Sequence, residues 1–146
     1  MSKTDWDARF LRLAQHVADW SKDPSTKVGA VLARGKFIIS LGYNGFPPGV
    51  EDLPERLNSR EVKYKMTLHA EENAILTARQ DLTGCTMYTW PMQPCAPCTA
   101  KIIQAGIKRI VAPPPSEDHL SRWGEDFKLS QEMRQEAGIE LLLRNP

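Results

Sequence analysis

Residues 85–112, CTMYTWPMQPCAPCTAKIIQAGIKRIVA, read as strand, helix and strand in succession. Thr86 to Trp90 is a β-branched and aromatic run after a turn at Gly84. Cys95 to Ala105 carries Ile102 and Ile103 and is predicted to be helical, with Gly106 at the position that ends a helix in the left-handed conformation. Arg109 to Ala112 is a second short strand, broken by Pro113-Pro114-Pro115. Strands that alternate with helices imply right-handed crossovers and a largely parallel sheet.

The same alternation extends outward from this stretch. Downstream, a helix from about Leu120 to Ala137 is stopped by Gly138, and Ile139 to Leu143 forms the last strand. A whole helix separates the last two strands, so they are expected to be parallel neighbours. Upstream, Leu68 to Arg79 reads as a helix. Before it, Val28 to Leu32 and Phe37 to Leu41 form a hairpin across Ala33-Arg34-Gly35-Lys36. A glycine- and proline-rich loop runs from Gly42 to Gly49, and the charged stretch from Glu51 to Lys65 suggests no particular element. Trp6, Phe10, Leu13, Val17 and Trp20 recur on one face of a first helix, with Thr4 and Asp7 as its expected cap and Ser21-Lys22-Asp23-Pro24 as its end. The predicted order is α-β-β-α-β-α-β-α-β, with the first hairpin antiparallel.

Composition sets the bounds. With 146 residues, 41% of them hydrophobic and 25% charged, the sequence fits one domain, residues 1–146, with its own core. No apolar run approaches a membrane span, and the amino-terminal residues resemble no secretory signal, so a cytoplasmic location is expected. Nineteen basic and eighteen acidic side chains nearly cancel, which excludes the broad basic surface of a long-nucleic-acid binder. The three cysteines, Cys85, Cys95 and Cys98, suit metal or thiol chemistry better than a disulfide framework.

Two segments carry chemistry, His69-Ala70-Glu71 and Pro94-Cys95-Ala96-Pro97-Cys98. Each opens a predicted helix. The first-turn amides and the helix dipole stabilise thiolates, the form that binds metal. One histidine and two thiolates suit tetrahedral Zn2+ with the fourth position open, and an open position marks a catalytic ion. Water held there drops in pKa from ~15.7 to about 7, giving hydroxide at neutral pH. Glu71, two residues beyond His69, is placed to shuttle protons near the metal without ligating it. His-x-Glu followed by Pro-Cys-x-x-Cys is the signature of zinc nucleobase deaminases. Cys85 reads as a small buried core residue, His16 as a packed helix residue and His119 as solvated surface.

Beyond these motifs, the chain carries Ser21-Lys22-Asp23-Pro24-Ser25-Thr26-Lys27-Val28-Gly29-Ala30-Val31, Gly42-Tyr43-Asn44-Gly45-Phe46-Pro47, Cys85-Thr86-Met87-Tyr88 and Ile102-Ile103-Gln104-Ala105-Gly106-Ile107. In these it resembles the deoxycytidylate (dCMP) deaminases of the cytidine deaminase superfamily, from about Trp20 to Gly138. The resemblance implies a three-layer α/β/α sandwich around a five-stranded mixed sheet, zinc-dependent hydrolysis of dCMP to dUMP and ammonia, and a homo-oligomer, hexamer or dimer. It also implies activation by dCTP and inhibition by dTTP. On this likeness His69, Cys95 and Cys98 match the zinc ligands and Glu71 the proton shuttle. Asn44 matches a residue that binds the sugar hydroxyl or phosphate, the Ala70 amide one that meets the pyrimidine carbonyl, and Ser21, Lys22 and Lys27 lie on a nucleotide-facing loop.

The sequence departs from that pattern twice. Glu51 to Leu68 holds no cysteine or histidine for a second, structural zinc. Residues 112–123 lack the tyrosine that many relatives place near the phosphate, and Arg122 or the cluster Arg56, Arg60, Lys63 and Lys65 is the expected substitute. Three alternatives compete: a deaminase of another cytosine nucleoside or nucleotide, a deaminase of a tRNA base, and a non-enzymatic zinc module. A deaminase acting on a tRNA base would need a basic carboxy-terminal surface, whereas charges there are mixed. A non-enzymatic zinc module would leave Glu71 and Asn44 without a purpose.

Overall fold

The computed structural model describes residues 3–146. The elements are α1 (Trp6–Ala18), β1 (Gly29–Arg34), β2 (Phe37–Tyr43), α2 (Pro54–Leu57), α3 (Arg60–Met66), α4 (Ala70–Ala78), β3 (Thr86–Trp90), α5 (Ala96–Gln104), β4 (Arg109–Ala112), α6 (Glu117–Ala137) and β5 (Glu140–Leu143). The strands form one five-stranded sheet in the order β2-β1-β3-β4-β5. β3, β4 and β5 are mutually parallel, with Thr86 opposite Arg109 and Arg109 opposite Glu140.

β1 is antiparallel to both of its neighbours, pairing Val31 with Leu41 on one side and with Tyr88 on the other. The sheet is thus less parallel than the helix–strand alternation suggests. β2 and β3 do run the same way, as a helical crossover through α4 requires, but β1 sits between them. The turn of the hairpin is just Gly35-Lys36, with Gly35 at φ +60°, and a bulge interrupts the pairing between Leu32 and Ala33.

Alternation along the strands divides the core. Ala30, Leu32, Met87 and Ile110 face Ala70 and Ala74 of α4 and Ile102 of α5, with Cys85 fully buried among them. Val31, Ala33, Tyr88 and Val111 face Phe10, Leu11 and Ala14 of α1. Ala137 of α6 joins the first cluster, so α4, α5 and α6 form one layer and α1 the other. Two glycines let helices approach this closely. A Cβ on Gly29 would lie 2.1 Å from the Ala14 carbonyl oxygen, and one on Gly42 would lie 2.3 Å from that of Ala70.

Several local expectations are corrected. Asp5, not Thr4, caps α1, its carboxylate accepting from the Ala8 amide at 3.0 Å. The helix ends at Ala18, so Trp20 leaves the apolar face and lies half-exposed against the rings of His16 and Tyr43. His16 is itself exposed. His119 is half-buried, its Nδ1 accepting from the Ser116 amide at the start of α6. The charged stretch without a predicted element folds into α2 and α3, with Ser59 capping the latter. Among the described residues no helix is long and apolar enough to cross a membrane.

Candidate active site

α4 and α5 present their amino-terminal ends to each other. His69 is the residue before the first turn of α4, and Cys95 holds the same place before α5. Glu72 fixes the first, accepting from the His69 amide at 2.9 Å, and its other oxygen pairs with Lys101 of α5 at 3.4 Å. His69 Nδ1 lies 3.5 Å from Cys95 Sγ and 3.2 Å from Cys98 Sγ. The three donor atoms lie within 4.8 Å of one another. Tetrahedral bonds of ~2.3 Å to sulfur and ~2.0 Å to nitrogen place such donors roughly 3.5 Å apart, so the set fits zinc and leaves a fourth position for water.

The metal-free electrostatics agree. Cys95 is held down to about 5 by the Cys98 thiol and His69, which donate to its sulfur. His69 rises to about 9 because Cys95 accepts from it. Donating to Cys95, together with burial, pushes Cys98 up. The Cys95 sulfur is thus the one favoured as thiolate, with Cys98 and His69 beside it.

Glu71 is only 5% exposed. Burial, then the neighbouring Cys95 charge, raises its carboxyl to about 7. A carboxyl poised there exchanges protons in both directions at neutral pH. Beside it, Ala70 is fully buried at the first position of α4, where a backbone amide has no intrahelical acceptor.

His69, Ala70, Glu71 and Cys95 line a cavity of about 580 Å³. Asn44 also lines it, 8% exposed. Its Oδ1 accepts from the Val28 amide at 2.9 Å and its Nδ2 donates to the Thr26 carbonyl at 2.8 Å. An amide side chain has two donors and two acceptor lone pairs, so half of that capacity is left for a ligand. The loop expected to face a nucleotide does reach the cavity, but through Asp23, Pro24, Ser25 and Thr26. Ser21 is buried beneath it and donates to the Asn44 carbonyl at 2.9 Å. Lys22 points outward to Asp52 at 3.1 Å, and Lys27 is exposed away from the cavity lining.

Of the basic residues offered as phosphate ligands, Arg60, Lys63 and Arg122 line the cavity, whereas Arg56 and Lys65 do not. Lys63 is tied to Asp23 at 3.1 Å and to Ser25 at 3.0 Å. Arg122 pairs with Asp118 at 3.6 Å. Sequence reasoning missed Tyr64, which α3 carries to the cavity from the stretch without a predicted element, and Trp123 and Phe127 of α6. The signal for Tyr64 was the turn chemistry of Pro54 and Ser59, which start α2 and α3.

Comparison with known proteins agrees with this site. The model of the cytidine and deoxycytidylate deaminase zinc-binding region matches residues 4–113. The chain is 51% identical over 136 residues to an uncharacterized deaminase of Aliivibrio fischeri, covering 93% of this chain and 91% of that one. It is 40% identical over 114 residues to the deoxycytidylate deaminase of Homo sapiens, covering 73% of this chain and 64% of that one, slightly less than two thirds of its length. It is 36% identical over 129 residues to the deoxycytidylate deaminase of Mycobacterium phage D29, covering 80% and 100%. The dCMP deaminase of cyanophage S-TIM5, solved with dCMP and dUMP, shares the fold with a TM-score of 0.75 at 22% identity, over 99% of this chain and 100% of that one.

Fold, donor set and relatives define a zinc-dependent deaminase. The chain belongs to the cytidine and deoxycytidylate deaminase zinc-binding family.

Proposed function

We propose that this protein hydrolyses dCMP to dUMP and ammonia, with residues 1–146 acting as one deaminase unit. The observation that carries the reading is the buried Glu71 carboxyl beside the His69, Cys95 and Cys98 donors, inside a cavity that also holds Asn44 and cationic side chains. The names of the 36–41% identical relatives support the substrate.

Zinc, when bound, lowers the pKa of a water to about 7 and so supplies the nucleophile for C4. Glu71 is placed to move both protons of the attacking water in turn, the first to the ring nitrogen and the second to the amino group, so that the C4–N bond would break as ammonia leaves and the oxygen would stay on C4 as the carbonyl. The Ala70 amide donates to the pyrimidine carbonyl and fixes the ring. Asn44 meets the sugar hydroxyl or the phosphate with its remaining donor and acceptor, and Ser21 holds Asn44 from behind. Arg60 and Arg122 take the phosphate. Lys63, already neutralised by Asp23, positions the loop instead.

Ammonia release over cytosine, deoxycytidine, dCMP and dCTP tests the substrate. Turnover is expected to be fastest with dCMP, and a wide preference for the nucleoside or free base would overturn the assignment. The same proposal includes a cytoplasmic homo-oligomer, hexamer or dimer, activated by dCTP and inhibited by dTTP. Repeating the assay with each effector, and light scattering of the purified protein, test those points.

A further inference from the structure

We propose that Asp126 of α6 is a positioning residue for the metal-binding cysteines, holding Cys95 in its ligating orientation through the Ala96 amide. The proposal rests on the zinc donor set described above. Cys98 lies inside α5, where the helix fixes its backbone, but Cys95 precedes the helix and depends on its surroundings. The Cys95–Ala96 peptide is gripped from both sides. Its carbonyl accepts from the Thr99 amide at 2.8 Å, and its N–H donates to Asp126 Oδ2 at 2.8 Å. Fixing that peptide plane narrows the directions in which Cys95 can carry its sulfur.

Asp126 does not act alone. Asp126, Ser130 and Arg134 succeed each other at intervals of four, one above another on the face of α6. Ser130, fully buried, donates to the Asp126 carbonyl of its own helix at 3.2 Å and packs its hydroxyl 3.5 Å from the Pro94 carbonyl. Arg134, 6% exposed, donates to Gln93 Oε1 at 3.3 Å. The row therefore lies along the 93–96 segment that leads into the ligand pair, with Asp126 and Arg134 bonded to it and Ser130 packed against it. Outer partners of this kind commonly change metal affinity by about 10- to 100-fold when removed.

The test is zinc release to a chromogenic chelator from the loaded, full-length protein, with the thiolate–metal absorption of the cobalt form as a second readout. Asp126→Ala is expected to release zinc about tenfold faster or more and to shift the cobalt bands. Asp126→Asn keeps an oxygen for the Ala96 amide, and its release is expected to stay within about threefold of wild type. Asp126→Glu keeps the charge but displaces the acceptor, so faster release is expected there as well. It serves as the decisive variant where Asp126→Ala does not fold. Asp7→Asn, far from the zinc ligands, is the control for general destabilisation.

Wild-type release from Asp126→Ala or from Asp126→Glu would overturn the role. So would loss in Asp126→Asn equal to that in Asp126→Ala, because charge rather than placement would then be responsible. Equal acceleration by Asp7→Asn at equal loss of melting temperature would reduce Asp126 to a packing residue. A wild-type protein that holds no zinc would overturn the ligand assignment itself, and this role with it.

Discussion

Glu71 and Asp7 occupy the same place in their helices, the second residue of α4 and of α1, and their surroundings differ in every other respect. Both receive the same help from a helix amino terminus. Asp7 is matched as well as a carboxylate can be: Arg109 donates to its two oxygens at 2.9 and 2.6 Å, and the Tyr88 hydroxyl donates at 2.7 Å. The Arg109 guanidinium holds its carboxyl below the usual value. Glu71 is more deeply buried and has no salt-bridge partner among the described residues, and its carboxyl is raised to about 7. The partnered carboxylate fastens α1 to β3 and β4, while the other lies buried beside the His69, Cys95 and Cys98 donors. Helix position alone therefore does not set a carboxylate's ionisation; burial and a bonded guanidinium do.

Removing each carboxylate should separate the two roles. Glu71→Gln is expected to lower kcat by roughly 10²–10⁴-fold while zinc content and thermal stability are retained, which kcat, metal analysis and a melting curve would check. Retained turnover would erase the distinction. The next largest effect is expected from Gly42→Ala. Its new Cβ would press on the Ala70 carbonyl and the Ala74 amide, at 2.3 and 2.6 Å, and force α4 away from β2. We expect a loss of about 3 kcal/mol in urea unfolding, with lowered activity because His69 and Glu71 move with the helix.

Asp7→Asn should show the reverse pattern to Glu71→Gln, with activity kept and stability lost. The loss is expected to be about 2 kcal/mol at neutral pH, the usual worth of a charged hydrogen-bonded pair. Because folding lowers the carboxyl of Asp7 from 3.8, its contribution is full above that pH and fades as the pH falls through the folded value. The gap between wild type and variant is therefore expected to shrink steadily as the pH falls below 3.8, and a gap that stays constant on acidification would break the assignment. The smallest expected signal concerns the metal. Before metal binds, the Cys95 thiol is lowered while His69 and Cys98 are raised. Zinc binding is expected to release about two protons, measurable by calorimetry in buffers of different ionisation enthalpy.

Much of this site was legible because metal ligation is local chemistry. His69, Glu71, Cys95 and Cys98 announce themselves by residue type and spacing at helix starts, and the fold brings all four together. The order of strands was legible where the connection dictates it, as for β4 and β5. The insertion of β1 between β2 and β3 was not, because that pairing joins Gly29 to Trp90 across most of the intervening chain and no local pattern encodes it. The nucleotide-facing loop shows the same limit at finer scale. Its composition marks a turn, but whether Lys22 or Thr26 points inward depends on Asp23 meeting Lys63 from α3, a contact forty positions away. α2 and α3 were hidden because neither buries an apolar face, so the periodicity that reveals a helix is missing.

The antiparallel placement of β1 has a mechanical consequence. The sheet has two parts, a hairpin of β1 and β2 and a parallel set of β3, β4 and β5, which meet in a single ladder between β1 and β3. α4 rests on the hairpin and α5 belongs to the parallel set. A zinc ion held by His69 from one side and by Cys95 and Cys98 from the other therefore spans that seam. Such an ion would join the two parts of the sheet as well as serve the reaction, and its removal is expected to loosen the molecule along one line.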